Sequence, residues 1–408
     1  MYDENISNAA CIKTTRRPLT HFVLTTALAL LVFQQAAPAQ TQVSLKSAIA
    51  IPNKRLTGFD ISWVDEDSRV YLLAANPQVV LVDLNTNTAS TISGFNTNAD
   101  PNVSRSELNG PNGVATVNHI EAWAGDGPTL KTPVVVSSNP AIAYAGDNCD
   151  SSVKVINLVT KKITDTINTG GCFRADELAF DPVDQVFLVA NPGEGNIGKS
   201  NFITLISTQP VLAGQHHQIL KKIVFDGTNG TPNSSGGIEQ SVYSPDTGLF
   251  YIVASNGAND AVAVIDPRDP DSIGVVQLYP ISNCGATGAS LKKYTLFVGC
   301  GGGPVQFVDI RDGNILGTVQ QVSGVDEVWY DAGNNLFVTT SFPPDSTIYT
   351  IDGTTLKLSQ SIPVTGIQGA MHSAASDYVT KQIFIPVPAG GSVCGPAPNT
   401  GCIAVFAH

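Results

Sequence analysis

Short runs of apolar residues, separated by Gly, Pro, Asn and Asp, follow one another along most of the chain. Short apolar runs between turn residues predict β-strands rather than helices. Residues 171–195 give an example, GCFRADELAFDPVDQVFLVANPGEG: charged residues, an apolar run, an acidic turn and a second apolar run. The same order recurs in seven units, at residues 58–84, 110–127, 171–195, 236–255, 284–303, 324–341 and 369–387.

Each unit continues into a third apolar run, such as VKVINL at 153–158, and often into a fourth. A repeat of four short strands is typical of a propeller blade. The last unit ends at its third strand, residues 402–406, whereas the strand-like segment 44–54 precedes the first unit without a partner. We therefore predict an all-β, seven-bladed β-propeller over residues 42–408, with the N-terminal strand closing the last blade.

The first 39 residues have a different pattern. Arg16 and Arg17 precede the apolar run FVLTTALALLVF at 22–33, and Ala37-Pro38-Ala39 resembles a small-residue cleavage site. This arrangement predicts a signal peptide over residues 1–39. The apolar run is short for a membrane span, and no other candidate follows it. We expect an exported protein, periplasmic or extracellular, with no transmembrane segment in the mature chain.

The cysteine content predicts disulfides, and the net charge argues against one class of partner. Six cysteines follow the predicted signal peptide, and an even number in an exported chain favours disulfides. We favour pairing of neighbours, 149–172, 284–300 and 394–402, because each pair then lies within one blade or across adjacent blades. A metal–thiolate site is the alternative, but the sequence has no C-x-x-C motif. The formal net charge of −12 argues against a nucleic-acid partner.

The repeat resembles the YVTN/YncE-like family of exported seven-bladed propellers. The resemblance is carried by RADELAFDP (174–182), GVDEVWYD (324–331), AVAVID (261–266) and the closing CIAVFA (402–407), and it covers the chain after the signal peptide. It implies the fold and an exported location. Similar propellers include lactonases, lyases, quinoprotein subunits and binding modules, so the resemblance does not imply one reaction.

Charged residues recur where each unit begins. In a propeller the first strand of every blade lines the central channel and is entered from the same face. The residues before these strands therefore form a ring around one mouth of the channel. Alignment of the units predicts the ring as Asp60, Asn112, Asp176 with Glu177, Glu239, Gly285, Asp326 with Glu327, and His372, with Arg174 beside Asp176.

This ring predicts a functional site. Clustered carboxylates repel one another unless a cation offsets their charge, and oxygen ligands with one imidazole suit Ca²⁺, Mg²⁺, Mn²⁺ or Fe²⁺. We expect a metal-assisted hydrolase or lyase, lactonase-like, in which roles divide as follows: catalysis by His372, Glu177, Glu239 and Glu327; substrate binding by Arg174, Asn112 and Asp60; metal binding by Asp176, Glu239, Asp326 and His372.

Three alternatives stay open at this point. The acids can act as turn caps with a purely structural role. His372 and a carboxylate can act as general acid and base without a metal. The propeller can also be a non-catalytic module that binds a small-molecule ligand or a protein partner.

Overall fold

A computed structural model describes residues 42–52, 55–97, 109–118, 120–130, 149–194, 199–212, 215–257, 259–268, 273–395 and 399–408. Within these ranges the chain forms seven four-stranded antiparallel sheets, the blades of a β-propeller, and almost no helix. The predicted fold is confirmed. The predicted signal peptide lies outside the described residues.

The first four blades use their strands in chain order from the channel outward. Blade 1 contains β2 (Ser62–Asp65), β3 (Val70–Ala75), β4 (Gln78–Asp83) and β5 (Thr88–Ile92). Blade 2 contains β6 (Val114–Asn118), β7 (Glu121–Leu130), β8 (Cys149–Asn157) and β9 (Lys162–Asn168). Blade 3 contains β10 (Leu178–Asp181), β11 (Val186–Asn191), β12 (Phe202–Ser207) and β13 (Ile219–Val224). Blade 4 contains β14 (Gly237–Ser244), β15 (Leu249–Ser255), β16 (Asp260–Asp266) and β17 (Gly274–Ile281).

The last three blades complete the ring. Blade 5 contains β18 (Ala286–Lys292), β19 (Thr295–Cys300), β20 (Pro304–Asp309) and β21 (Ile315–Ser323). Blade 6 contains β22 (Val325–Asp331), β23 (Leu336–Ser341), β24 (Thr347–Asp352) and β25 (Leu358–Pro363). Blade 7 contains β26 (Ala375–Asp377), β27 (Gln382–Val387), β28 (Cys402–Ala407) and, as its outer strand, β1 (Ser44–Ala50). A short 3-10 helix, Ser392–Cys394, precedes β28.

Blade 7 confirms the predicted ring closure. β1 pairs antiparallel with β28, from Ser44 opposite Ala407 to Ala50 opposite Cys402. The first strand of each blade also lies beside the first strands of both neighbouring blades, so these seven strands form a closed inner ring. The residues at their starts are thereby held around one opening.

The apolar residues of neighbouring blades pack against each other to form the core. In the described part of the chain, buried residues form seven hydrophobic clusters, one at each interface between adjacent blades. Leu188 of blade 3 and Ile252 of blade 4, for example, belong to the same cluster. Because strands in the middle of a blade are covered on both faces, they are apolar without alternation, as the sequence pattern indicated.

The two disulfides with both cysteines in the described residues agree with the predicted pairing of neighbouring cysteines. Cys284 is bonded to Cys300 and Cys394 to Cys402, as predicted. Cys172 is also disulfide-bonded. The side chain of Cys149, its predicted partner, lies outside the described residues.

Candidate functional site at the channel mouth

A β-bulge begins the first strand in several blades and explains how two consecutive residues face the same opening. In blade 3 the Asp176 N–H donates to the Ala190 carbonyl at 2.9 Å, and the Ala190 N–H donates to the Glu177 carbonyl at 2.8 Å. Two residues thus oppose one, which is the defining feature of a bulge. In a regular strand neighbouring side chains point to opposite faces. The bulge allows both Asp176 and Glu177 to contribute to one site.

The same irregularity recurs around the ring. Asp60 and Ile61 both bond to Ala74 in blade 1. The register of β14 shifts between Ile238 and Ser241, and that of β22 shifts between Val325 and Val328. The sequence suggested that the ring residues come before the first strands. In the structure Glu239 lies within β14, and Asp326 and Glu327 lie within β22. The bulges create two layers: an outer layer with Asp60, Asp176, Glu239, Asp326 and His372, and an inner layer with Glu177, Gln240 and Glu327.

One group of outer-layer residues joins three blades. Ligand atoms of Asp60, Asp326 and His372 all lie within 4.8 Å of one another. His372 Nδ1 and Asp326 Oδ2 are 2.7 Å apart, and the imidazole makes edge-to-face contacts with Phe59 and Phe342. The side chain of His372 is 28% exposed and that of Asp326 is 18% exposed, so the group remains accessible from the channel mouth.

Electrostatics in this group follow from burial and charge. Burial alone would lower the pKa of His372, but the hydrogen bond to Asp326 and the charges of Asp326 and Asp60 outweigh it and raise the pKa above its usual value. The pKa of Asp60 is raised well above its usual range by burial and by the charge of Asp176, against the attraction of His372 and Arg174. Asp60 is half-buried at this point of the ring.

A second group lies in blades 3 and 4. Ligand atoms of Asp176, Glu177 and Glu239 are also within 4.8 Å of one another. Arg174 Nε donates to Asp176 Oδ2 at 2.5 Å, and both side chains are largely buried. The four metal ligands expected from the sequence therefore divide between two groups: Asp326 and His372 lie in the first, and Asp176 and Glu239 in the second.

The inner layer contains a pair of carboxyl groups from opposite sides of the ring. Glu177 of blade 3 and Glu327 of blade 6 are each 2% exposed, and each carboxyl group lies close enough to the other to affect its pKa. Burial is the main cause that raises the pKa of both residues well above the usual range, and for Glu177 the charge of Glu327 is the next cause. Both carboxyl groups therefore keep their protons to higher pH than exposed glutamates do.

Two other predicted ring positions have local partners. Asn112 is buried, its side-chain amide donates to the Asn109 carbonyl at 2.6 Å, and its own carbonyl accepts the Ile61 N–H of blade 1. Gly285 follows the disulfide-bonded Cys284, and its N–H donates to Asp260 Oδ2 at 2.6 Å. Blade 5 thus presents backbone and a disulfide where blades 1, 3, 4 and 6 present acids.

Gln240 is a site residue that sequence reasoning missed. Its Oε1 accepts the Ala289 N–H at 2.7 Å and the Val328 N–H at 3.1 Å, and it thereby connects blades 4, 5 and 6 inside the channel. The repeat contained a signal for it, because Gln240 follows Glu239 as Glu177 follows Asp176 and Glu327 follows Asp326.

Acids at the other end of the first strands behave differently. Asp65 Oδ1 accepts the N–H groups of Asp67 and Ser68, and Asp181 Oδ1 accepts those of Val183 and Asp184. These are turn caps of the kind weighed for the ring. Asp326 and Asp176 contact a histidine and an arginine instead, which distinguishes the channel mouth from the capped turns.

Comparisons with known proteins agree with the fold. No protein-family model matches the chain, and no curated protein matches it. Among solved structures, it is similar to a chain from the "Crystal Structure of Mitotic Checkpoint Complex", with 11% sequence identity, a TM-score of 0.54, and coverage of 96% of this chain and 99% of that one. At this identity the likeness shows the fold alone. In the ranges that the structure describes, no helix combines the length and apolarity needed to cross a membrane.

The fold and these comparisons define a seven-bladed β-propeller. They support the architectural part of the resemblance to the YVTN/YncE-like family and do not show membership of it.

Proposed function

We propose that this protein is an exported, metal-assisted hydrolase or lyase that acts on a small molecule at the channel mouth. The observation that carries the proposal is the convergence of Asp60, Asp326 and His372 from three blades. Export is supported by the signal-peptide pattern of residues 1–39 and by the disulfides.

The donor set fits a hard divalent cation. Two carboxylates and one imidazole suit Ca²⁺, Mg²⁺, Mn²⁺ or Fe²⁺ and leave coordination positions for water and substrate. A bound cation would polarise a carbonyl or lower the pKa of a bound water. Asp176 and Glu239, in the second group, extend the oxygen-rich surface, and Arg174 offsets part of its charge.

The remaining residues have roles that follow from their positions. Glu177 and Glu327, whose pKa values are raised mainly by burial, can donate a proton to a leaving oxygen or accept one from water, as general acid or base. The Arg174 guanidinium can hold a carbonyl oxygen of the substrate. Asn112 orients the backbone between blades 1 and 2. These roles match a lactone substrate, because its ring ester needs a polarised carbonyl and a proton for the leaving oxygen.

Metal content tests the proposal directly. We expect near-stoichiometric metal, by elemental mass spectrometry, in the purified wild type and a large loss in His372→Ala and Asp326→Asn. His216→Ala is the matched control, because His216 Nδ1 also pairs with an aspartate, Asp165 Oδ1, at 2.6 Å, but away from the channel mouth on an exposed surface. Absence of metal from the wild type, or equal loss in the control, would overturn the metal-assisted mechanism.

A non-catalytic binding propeller is the second candidate. It is favoured by the internal pairing of Arg174 with Asp176 and of His372 with Asp326, since paired charges also stabilise a rigid binding face. This candidate predicts a co-purifying ligand or protein partner, no bound metal, and no hydrolysis across a panel of small lactones. No nucleic-acid partner is proposed.

A further inference from the structure

A cavity of about 220 Å³ lies in the central channel, next to the inner layer. Glu177 and Gln240 form part of its wall, and the wall continues along the first strands to Leu291, Trp63, Trp329 and Tyr330. Of the described residues that line it, none carries a positive charge, and Glu177 is the one carboxylic acid. The cavity therefore joins the candidate reaction site at one end and is bounded mainly by apolar and aromatic groups.

Both indole N–H groups and the Gln240 amide oxygen of this wall already have partners within the protein, whereas Ser241 Oγ and Glu177 Oε2 have no hydrogen-bond partner. Trp63 Nε1 donates to Thr116 Oγ1 at 2.9 Å, and Trp329 Nε1 donates to Ser376 Oγ at 3.0 Å. The two indoles are in edge-to-face contact, with ring centroids 5.4 Å apart. Gln240 Oε1 is occupied by two backbone N–H groups. What the wall offers to a ligand is thus mainly apolar and aromatic surface, which favours flat rings, with Ser241 Oγ and Glu177 Oε2 as polar atoms for a ligand's polar group.

The size and the surrounding charge restrict the ligand further. An apolar cavity of ~150 Å³ takes one benzene molecule. A cavity of about 220 Å³ therefore suits one six-membered ring with a few additional atoms. Carboxylates crowd the adjoining mouth, so an anionic ring compound would be repelled. An uncharged ring, with its polar group at the inner layer, satisfies both conditions.

We propose that this cavity is a specificity subsite for the uncharged, monocyclic part of a small-molecule ligand. If the proposed function also holds, the substrate is an uncharged ester or lactone that carries such a ring, with its carbonyl beside Glu177 and the outer groups. The subsite itself needs no metal, so the two proposals can fail separately.

Binding of two fluorinated probes to the metal-stripped, disulfide-intact protein tests the subsite. We expect ¹⁹F NMR titration to show saturable, one-to-one binding of uncharged 4-fluorobenzyl alcohol. Binding of anionic 4-fluorobenzoate should be weaker by at least ~tenfold, because a carboxylate without a partner in an apolar cavity loses its hydration. Leu291→Trp and Val242→Phe, which fill the cavity from blades 5 and 4, should each abolish alcohol binding. Ile315→Trp is the matched control, since it adds the same indole to the exposed outer strand of blade 5.

The outcomes separate the proposals. Failure of the wild type to bind the alcohol, equal binding of the benzoate, or unchanged binding by every correctly folded filling variant would overturn the subsite. Alcohol binding, together with absence of metal from the wild type as purified, would support the subsite and reject the metal-assisted mechanism. Thermal unfolding verifies that each variant is folded, so a misfolded Leu291→Trp leaves Val242→Phe as the test.

Discussion

Replacement of Glu66 by glutamine should make the stability of this propeller less sensitive to pH. Glu66 lies in the turn between β2 and β3, half-buried on the face opposite the acid ring. Burial, with added repulsion from Asp377 and Asp65 and against hydrogen bonds from the backbone, raises its pKa from 4.5 to about 7. The native protein thus holds a proton on Glu66 between about pH 4.5 and 7 that the unfolded chain releases.

The sign and size of the effect follow from linkage. A carboxyl group with a raised native pKa contributes stability below its unfolded pKa, and this stability is lost as pH rises through its native pKa. The full shift from 4.5 to about 7 corresponds to about 3 kcal/mol at 1.36 kcal/mol per pH unit. Solvent screening of a half-buried group reduces this to roughly 1–2 kcal/mol. With about 2.1 cal/mol/K of unfolding entropy per residue, a domain of this size should show a Tm change of roughly 2 °C.

Calorimetric scans of wild type and Glu66→Gln from pH 5 to 8.5 measure the effect. The Tm of the variant relative to wild type should rise across this range and level off above pH 8. Asp246→Asn, an exposed acid in the corresponding turn of blade 4, serves as the control and should show a flat difference. A Glu66→Gln difference that is constant, or that falls as pH rises, would refute the assignment of burial as the dominant cause.

Two further predictions concern the inner ring and the disulfides. Gln240→Leu should destabilise the protein by about 2–6 kcal/mol in urea unfolding, because the backbone N–H groups of Ala289 and Val328 lose their acceptor at ~1–3 kcal/mol each. An unchanged urea midpoint would show that water replaces the acceptor. Replacement of both Cys284 and Cys300 by serine should lower the free energy of unfolding by about 3 kcal/mol, because the disulfide closes a loop with a sequence separation of 16 and restricts the unfolded chain. An equal Tm for this variant and the wild type would contradict that account.

The candidate site was partly predictable from sequence because it repeats. Asp60, Asp176, Glu239, Asp326 and His372 occupy equivalent positions in their units, and a closed ring brings equivalent positions to one opening. Gln240 occupies such a position too but was not predicted, since a neutral amide between Glu239 and Ser241 carries no evident chemistry. Its function depends on two backbone N–H groups in other blades, which no local pattern reveals.

The grouping of the site residues required the three-dimensional structure. The sequence suggested one metal set, Asp176, Glu239, Asp326 and His372, but the ring separates it into Asp60–Asp326–His372 and Asp176–Glu177–Glu239. The difference arises because blades 3 and 4 lie on one side of the channel and blades 1, 6 and 7 on the other. Proximity around a ring depends on which blades are neighbours, and repeat alignment treats all blades alike.

The sequence by itself determined the strand repeat, the number of blades, the closure by β1 and the pairing of Cys284 with Cys300 and Cys394 with Cys402. These features follow from apolar periodicity, turn residues and short loops, which are local properties of the chain. Tertiary structure alone decided that Glu177 and Glu327 are buried near each other, that the ring residues divide into two groups, and that an aromatic cavity adjoins them. The physical reason is that β-bulges and contacts across the channel axis depend on hydrogen bonds and packing between residues distant in sequence.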